Sequence, residues 1–254
     1  MRKYLLAIFI ASSFLVFSQT PVSVNGKLKV VGTQLCNEKG YPVQLRGLSS
    51  HGLQWYGGCI NGTSIPIMQQ QWNADILRIA MYVDEGGYLA DTAGNCNTVK
   101  QMVDWAVTAG LYVIIDWHIL TPGNPLVSKN KAKAFFKYFS SLYKNTPNVI
   151  YEICNEPNGG TTIKSEWNDW IRPYAIEIIP VIRANNPGAI ILVGTPKWSS
   201  KVGEVYSNPL PANLATNCLY SFHFYGGSHF TEPYINDYTD KLPIFATEWG
   251  TSIY

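Results

Sequence analysis

The chain has 254 residues, with 19 Lys+Arg against 17 Asp+Glu and a formal net charge of +2. With so small a net charge, electrostatic attraction gives no reason to expect nucleic acid or an anionic membrane surface as a partner. Charged residues make up 14% of the chain, below the roughly 25% of an average domain. Aromatic residues make up 13%, which is compatible with a neutral carbohydrate ligand and equally compatible with a large aromatic core.

Residues 1–18 have the pattern of a secretory signal peptide. Arg2 and Lys3 precede an apolar run, and Val16 and Ser18 occupy the −3 and −1 positions of a cleavage site after Ser18. The apolar run is short for a transmembrane helix, and no longer one follows. We therefore predict a secreted protein whose residues 19–254 form a single domain with no membrane partner.

Beyond a small hairpin predicted over residues 19–42, apolar strand-like runs alternate with segments of helical periodicity. Continuous apolar runs with helices between them are typical of parallel strands that are covered on both faces. No linker or repeat divides the chain. The predicted strands are Val43–Ser50, Ile76–Tyr82, Tyr112–His118, Val149–Glu156, Ile190–Pro196, Cys218–Tyr225 and Pro243–Gly250.

Two of these runs end in a glutamate. Glu156 precedes Pro157, and Glu248 precedes Trp249 and Gly250. A lone glutamate at a strand end is usually a solvated surface group, but parallel strands that end together would bring both to one barrel mouth. Two carboxylates in different protonation states can cleave a glycosidic bond.

Side-chain alternation predicts that polar groups of several strands share the inner face and meet at this mouth. The predicted inner sets are Ser49 and His51; Arg78, Ala80 and Tyr82; Ile114, Asp116 and His118; Glu152, Cys154 and Glu156; Ser221, His223 and Tyr225; and Ile244, Ala246 and Glu248. Asp116 and Glu152, deeper in the strands, are expected to accompany Arg78 rather than to act as catalysts.

Six stretches occur in an order and spacing that resembles the cellulase family, glycoside hydrolase family 5. They are Gly47–Tyr56, Leu77–Tyr82, Tyr112–His118, Asn155–Pro157, His223–Tyr225 and Thr247–Gly250. The resemblance implies a (β/α)8 TIM barrel, no cofactor, no metal, and a polysaccharide substrate. It points most closely to secreted endo-β-1,4-glucanases of bacterial and invertebrate type, which retain anomeric configuration; the same machinery acting on mannan or xyloglucan is an alternative.

The resemblance also implies roles for individual residues. Glu156 would be the acid/base and Glu248 the nucleophile. The supporting group would be Arg78, Asn155, His118, His223 and Tyr225, with Arg78 keeping Glu248 ionised and His223 and Tyr225 orienting Glu248 and the sugar. The sugar-binding group would be His51, Trp55, Tyr56, Tyr82, His118, Trp198 and Tyr225, although Tyr82 could equally be a core residue.

Five cysteines remain in a chain predicted to be secreted. Cys59 and Cys96 lie in predicted loops after the first and second strands, so they are the disulfide candidates. Cys36 and Cys218 are left unassigned. Asn61 begins the one N-glycosylation sequon.

Only seven strands are countable, whereas a closed (β/α)8 barrel needs eight. The family pattern would continue past Gly250 with a helix and a further strand, so we expect the barrel to be truncated after the seventh strand. On that expectation the chain alone would be a poorly active or unstable monomer, and a carbohydrate-binding protein without activity is the alternative from another class.

Overall fold

The structure, a computed structural model, describes residues 19–159, 163–227 and 235–251. The predicted signal peptide of residues 1–18 lies outside the described residues. Within them, a small antiparallel hairpin precedes one large parallel sheet in which each strand pairs with the next strand along the chain. The hairpin strands are β1, Lys29–Val31, and β2, Gln34–Cys36; the sheet strands are β3, Gly47–Ser49, β4, Ile76–Tyr82, β5, Tyr112–His118, β6, Val149–Glu152, β7, Ile190–Val193, β8, Cys218–Tyr225, and β9, Ile244–Gly250.

Helices fill the connections between the strands, as the alternating pattern predicts. The α-helices are α1, Pro21–Asn25, α2, Leu53–Tyr56, α3, Ser64–Trp72, α4, Thr92–Thr108, α5, Lys129–Leu142, α6, Arg172–Arg183, α7, Gly203–Ser207, and α8, Ala212–Ala215, and Pro196–Ser199 forms a short turn with left-handed backbone angles. A 3₁₀ turn covers Gly57–Cys59, and a π-helical turn, Trp167–Ile171, leads into α6. Within the described residues, no helix combines the length and apolar content needed to cross a membrane.

Alternation along the strands separates two apolar layers. In β4, Leu77 and Ile79 face outwards into a large core shared with the helices, whereas Ile76 faces the barrel interior. The interior is apolar only in its lower part, where Ile76 lies beside Tyr112 and Ile150. Above this layer the inward positions become polar, beginning with Arg78. The barrel therefore holds its charged groups on an apolar floor.

The hairpin closes the bottom of the barrel, which confirms its predicted place. Leu28 and Leu35 are buried against the lower interior layer. The Tyr112 hydroxyl donates to the carbonyl of Gly26 at 2.6 Å. Burial of these side chains stabilises the floor by roughly 1.5–3 kcal/mol for each large apolar group.

The fold class predicted from the sequence is confirmed: seven parallel strands form a nearly closed barrel of the TIM type. Among the described residues, β3 pairs only with β4, and β9 only with β8. Near this open side Phe224 stacks on Trp249, with ring centroids 6.2 Å apart, and Trp249 is well exposed.

Simple alternation was wrong for two strands. β6 ends at Glu152, and the following segment turns Cys154 into the outer apolar core instead of the interior. In β9, Ile244 packs on the outer core and Phe245 on the inner layer, the opposite of the prediction. In β9 the cause is a β-bulge, which inserts a residue into the strand and so reverses the alternation between Ile244 and Phe245 before it and Glu248 after it.

This bulge decides how β9 presents its polar residues. Phe222 of β8 is opposite Ala246, but His223 is opposite Glu248, so Thr247 is the additional residue. As a result Thr247 and Glu248, although adjacent in sequence, both contact inward-facing groups.

The predicted disulfide between Cys59 and Cys96 is wrong for this structure, in which both are free thiols. Cys59 is exposed in the 3₁₀ turn, whereas Cys96 lies in helix α4, not in a loop, and packs against the outer apolar core. Burial raises the pKa of the Cys96 thiol. The other three cysteines, Cys36, Cys154 and Cys218, are buried free thiols.

Candidate active site

Arg78 is the centre of the polar cluster at the barrel mouth. Its guanidinium contacts three carboxylates, at 2.9 Å from Asp116, 2.7 Å from Glu152 and 3.0 Å from Glu248. It also donates to Asn155 Oδ1 at 2.6 Å and to Ser49 Oγ at 3.1 Å. Such a fork of donors suits arginine and cannot be reproduced by lysine. Asp116 and Glu152 are thus companions of Arg78, as expected.

Glu248 is held in its ionised form. Burial by itself would raise its pKa, but Arg78, His223 and the Tyr225 hydroxyl overcome that effect and lower the pKa of Glu248 to about 2. Tyr225 donates its hydroxyl hydrogen to Glu248 Oε1, and burial together with this hydrogen bond raises the pKa of Tyr225 above its usual value. Glu248 is therefore a carboxylate at any ordinary pH.

Glu156 lies across the mouth from Glu248 and contacts His223. Its Oε1 is 2.9 Å from His223 Nδ1. One carboxylate oxygen of Glu156, one of Glu248 and a ring nitrogen of His223 all lie within 4.8 Å of one another. Both side chains are partly accessible, 14% for Glu156 and 21% for Glu248. The expectation that His223 would orient Glu248 needs correction, because its hydrogen bond goes to Glu156.

His118 and Asn155 form a buried bridge between Arg78 and Asp116. Arg78 donates to Asn155 Oδ1, so the Asn155 amide nitrogen faces Ile119 O and His118 Nε2, both at 3.1 Å. His118 Nε2 accepts this hydrogen bond, and Nδ1 carries the hydrogen that it donates to Asp116 at 2.6 Å. Burial and the nearby Arg78 lower the pKa of His118 to about 3, which keeps the ring neutral.

The same mouth is the place where a cation would find ligands. In the described part of the chain, one group offers three ligand atoms within 4.8 Å, namely Glu156, His223 and Glu248. Both ring nitrogens of His223 are already hydrogen-bonded, to Glu156 and to Thr247 at 2.8 Å. A metal would have to break one of these bonds. The absence of a metal or cofactor stays a prediction from the family resemblance.

Aromatic rings line one wall of the mouth and extend to the surface. His51 contacts Trp55, Tyr56 and Tyr82, with ring centroids 5.1–6.1 Å apart, and Tyr82 stacks on His118 at 4.1 Å. Trp55 and Tyr56 are 49% and 55% exposed, whereas Tyr82 is buried at the inner end of the wall. Exposed aromatic faces beside a polar mouth are suited to stacking on sugar rings.

Trp198 stands apart from this wall, on a strained turn. Lys197, Trp198 and Ser199 all have φ near +55°, a left-handed conformation that costs free energy in residues other than glycine. The turn is tied to the catalytic segment, because Trp198 N donates to Pro157 O at 3.1 Å and Ser199 Oγ donates to Asn155 O at 2.6 Å. The Trp198 side chain is 45% exposed.

Glu166 holds this strained turn in place. It is nearly fully buried, and its carboxylate accepts hydrogen bonds from the backbone N–H groups of Gly159 and Lys197, both at 2.6 Å. The Lys197 ammonium lies 3.1 Å from Glu166 Oε1. Sequence reasoning missed Glu166, because a single glutamate at the start of a helical segment is indistinguishable from a surface charge.

Replacement of Glu166 by glutamine is therefore expected to loosen the turn that carries Trp198. The amide would direct an N–H group at backbone donors, a loss of about 1 kcal/mol. For the β-glucan substrate that the family resemblance implies, this corresponds to about a fivefold rise in the KM of a soluble oligosaccharide with little change in kcat. Steady-state kinetics on the full chain measure this. Glu177→Gln, which loses exposed contacts to Lys129 and Lys133, is the matched control. Unchanged KM in Glu166→Gln would contradict the assigned role.

The structure brings most predicted site residues together. Arg78, Asn155, Glu156, Tyr225 and Glu248 meet at the mouth, as described above. Thr247 and Ser221 also enter the network, both donating to Glu152.

Asn61 lies outside this site. Its side chain accepts from the N–H groups of Thr63 and Ser64 in a turn before α3, and glycosylation there stays a prediction.

A parallel barrel with two glutamates at the carboxyl ends of its strands, with carboxylate oxygens within 4.8 Å of each other, has the arrangement of a retaining glycosidase. Residues 36–253 match the family model described as Cellulase (glycosyl hydrolase family 5). The chain belongs to this family.

Several characterised proteins are similar to this chain. An endoglucanase from Clostridium saccharobutylicum is 47% identical over 233 residues, covering 91% of this chain and 50% of that protein. Endoglucanase E-5 from Thermobifida fusca is 44% identical over 245 residues, covering 92% of this chain and 50% of that protein. The chain thus spans about half the length of these relatives.

A solved structure agrees with these sequence matches. The catalytic domain of a Thermobifida fusca endoglucanase, in complex with cellotetraose, superposes with a TM-score of 0.87 and 42% identity, covering 93% of this chain and 77% of that chain.

Proposed function

We propose that this protein is an endo-acting glycoside hydrolase that cleaves β-1,4-glucosidic bonds of cellulose and related β-glucans with retention of configuration. One observation carries the proposal: carboxylate oxygens of Glu156 and Glu248 lie within 4.8 Å of each other. Retaining glycosidases hold their carboxyl groups roughly 5–5.5 Å apart, whereas inverting ones need roughly 6.5–9.5 Å to admit a water molecule.

In the first step Glu248 attacks the anomeric carbon while Glu156 donates its proton to the departing glycosidic oxygen. The C–O bond to the leaving group breaks as a C–O bond to Glu248 forms, so the sugar is attached to the enzyme as an ester. Arg78 and Tyr225 keep Glu248 ionised and aim it, one donating to each carboxylate oxygen. An ionised nucleophile at the mouth is what this step requires.

In the second step Glu156, now a carboxylate, removes a proton from a water molecule that attacks the same carbon. The ester bond breaks, Glu248 leaves as a carboxylate, and Glu156 is again protonated. Two inversions give net retention. His223 contacts Glu156 through Nδ1 and is placed to stabilise the protonated form of that carboxyl group.

The substrate class follows from the lining of the mouth and from the relatives. His51, Trp55, Tyr56 and Trp198 offer exposed aromatic faces and hydrogen-bonding groups for a neutral sugar chain. The similar Thermobifida fusca domain is described in complex with cellotetraose. Mannan or xyloglucan would use the same catalytic pair.

Reducing-sugar release from carboxymethylcellulose, compared with galactomannan, tests the proposed substrate. We expect faster release from carboxymethylcellulose and retention of the β-anomer in the first-formed product by NMR. Inversion would contradict the two-glutamate scheme, and tight binding of the polysaccharide without hydrolysis would favour a carbohydrate-binding protein.

Replacement of Glu156 by glutamine separates its role from that of Glu248. The loss of the acid is expected to lower kcat/KM for cello-oligosaccharides by about 10²–10⁴-fold, the contribution of general acid catalysis. An aryl cellobioside with a good leaving group needs little protonation, so its glycosylation rate should fall far less. Burst kinetics with such a substrate measure the first step directly. Equal losses on both substrates would contradict the acid/base role.

We also propose that the protein is secreted and acts as a monomer on its polysaccharide. The signal-peptide pattern of residues 1–18 supports secretion. Identification of the N-terminus of secreted protein by Edman sequencing, with cleavage expected after Ser18, and the mass in solution by light scattering test these two points.

A further inference from the structure

Thr247 links two buried groups that lie on either side of it. Its hydroxyl donates to Glu152 Oε1 at 2.8 Å and lies 2.8 Å from His223 Nε2. All three side chains are buried, and His223 Nε2 is 3.9 Å from Glu152 itself, too far for a direct hydrogen bond. Thr247 is therefore the connection between Glu152 and His223.

Glu152 acts only as an acceptor. Arg78 Nε donates to Oε2 at 2.7 Å, and Ser221 donates to Oε1 at 2.6 Å. Burial would raise the pKa of Glu152, but Arg78 and these hydrogen bonds lower it, so the group is ionised. The hydroxyl hydrogen of Thr247 must then point to Glu152, because a carboxylate has none of its own to offer.

The single hydroxyl hydrogen of Thr247 is thereby used, and only its oxygen lone pairs remain for His223. A contact of 2.8 Å between that oxygen and Nε2 is a hydrogen bond only if Nε2 carries the hydrogen. In the neutral ring the hydrogen on Nε2 leaves Nδ1 as an acceptor. Nδ1 is the atom that faces Glu156 Oε1 at 2.9 Å.

We propose that Thr247, oriented by Glu152, is a positioning residue that sets the Nε2–H tautomer of His223 and so makes Nδ1 accept a hydrogen bond from protonated Glu156. This inference rests on the proposed function, in which the protonated form of Glu156 is the acid of the first step. The wrong tautomer would donate from Nδ1 and favour the carboxylate form of Glu156, which cannot protonate a leaving group.

The charged groups that face His223 are mostly carboxylates. The carboxylates of Glu152, Glu156, Glu248 and Asp116 face this region, against the single cation of Arg78. When Glu156 has given its proton to the leaving group, neither Glu156 nor Nδ1 carries one, and Glu156 takes its next proton from the attacking water. Nε2 stays bound to Thr247 meanwhile, so Nδ1 again accepts from Glu156 once that carboxyl group is reprotonated.

The tautomer can be measured directly, without a substrate, on the full chain labelled with ¹⁵N-histidine. Two-bond ¹H–¹⁵N correlation spectra distinguish a ring with hydrogen on Nε2 from one with hydrogen on Nδ1, and the His223 signals are assigned by their loss in His223→Asn. We expect the Nε2–H form in the unmodified protein and in Thr247→Ser. In Thr247→Val, which keeps the shape and removes the hydroxyl, we expect the Nδ1–H form to appear. An Nδ1–H ring in the unmodified protein would overturn the proposal outright.

The pH profile of kcat/KM is a second test, because a purely structural role of Thr247 would not shift it. In Thr247→Val the basic limb of the kcat/KM profile for cello-oligosaccharides should move to lower pH by about one unit, because the carboxylate form of Glu156 gains a donor. Hydrolysis of an aryl cellobioside with a good leaving group should be nearly unaffected, and Thr247→Ser should restore the unmodified profile. Unchanged pH limbs with equal losses on both substrates would refute the tautomer role.

The two experiments also separate this proposal from the proposed function. An unmodified protein that does not hydrolyse β-glucan would refute the proposed function, while the tautomer of His223 would still be read from the spectra. A folded, active enzyme whose His223 spectrum is the same in Thr247→Val and Thr247→Ser would refute only the role of Thr247. Cooperative thermal unfolding of each variant shows that the comparison is made on folded protein.

Discussion

Replacement of Glu248 by glutamine is expected to abolish hydrolysis, with a loss of kcat/KM on the order of 10⁴–10⁶-fold, the range found when a catalytic nucleophile is removed. The amide is neutral and cannot form the glycosyl-enzyme ester, so an activated aryl glycoside should not bypass the loss. The fold should be kept, because the amide oxygen can still accept from Arg78 and the amide N–H₂ group can donate to the Tyr225 hydroxyl oxygen.

Two experiments make this expectation specific. Mass spectrometry with a slow 2-deoxy-2-fluoro cellobioside should find a covalent adduct on the unmodified protein and none on the variant. Azide, added to Glu248→Ala, should restore turnover and give a glycosyl azide of inverted configuration. Glu38→Gln, the same chemical change at an exposed position beside the hairpin, is the control. A Glu248→Gln protein that keeps even a hundredth of the activity would contradict the nucleophile assignment.

Replacement of Arg78 by methionine is expected to have the largest effect on stability. Arg78 is the shared cation of Asp116, Glu152 and Glu248, and its loss leaves these carboxylates without a cationic partner. Removing one partner of a buried ion pair costs about 3–5 kcal/mol. This is a large part of the roughly 5–15 kcal/mol by which domains are stable. Urea unfolding measures it, with Arg46→Met at an exposed position as the control.

The direction in which stability and activity change with pH follows from the pKa of Glu248. The pKa of Glu248 is lowered to about 2 from an ordinary value of 4.5, so its ionisation stabilises the folded state above about pH 4.5. That contribution is lost as the pH falls from 4.5 towards 2. Without Arg78 the pKa of Glu248 rises, so the acid limb of activity should move to higher pH in any variant that stays folded. An acid limb that does not move in such a folded variant lacking the charge would contradict the role of Arg78.

Much of the architecture could be predicted from the sequence because it depends on local pattern. Near-continuous apolar runs such as Ile76–Tyr82 and Tyr112–His118 are strands with those same bounds in the structure. Their alternation also correctly divided inward Arg78 and Asp116 from outward residues, since regular strands turn successive side chains to opposite faces. The hairpin predicted at the barrel floor was also confirmed, because it too depends on local pattern.

Where the strands are irregular, alternation failed. Val149–Glu156 was predicted as one strand, but the regular part ends at Glu152, and the segment beyond it presents both Asn155 and Glu156 to the mouth. The predicted pairing of Cys59 with Cys96 failed because sequence position after neighbouring strands does not fix where each thiol points.

The sequence by itself determined the fold class, the family resemblance, and the two glutamates at the ends of strands, because strand pattern and motif spacing are carried by neighbouring residues. Only the tertiary structure decided which partner each group has: His223 against Glu156, Glu166 under the Trp198 turn, and Thr247 between Glu152 and His223. These contacts join residues far apart in the chain, and the last depends on a bulge in β9. The position of such a bulge depends on how two strands pair with each other, so it cannot be predicted from the residues of one strand alone.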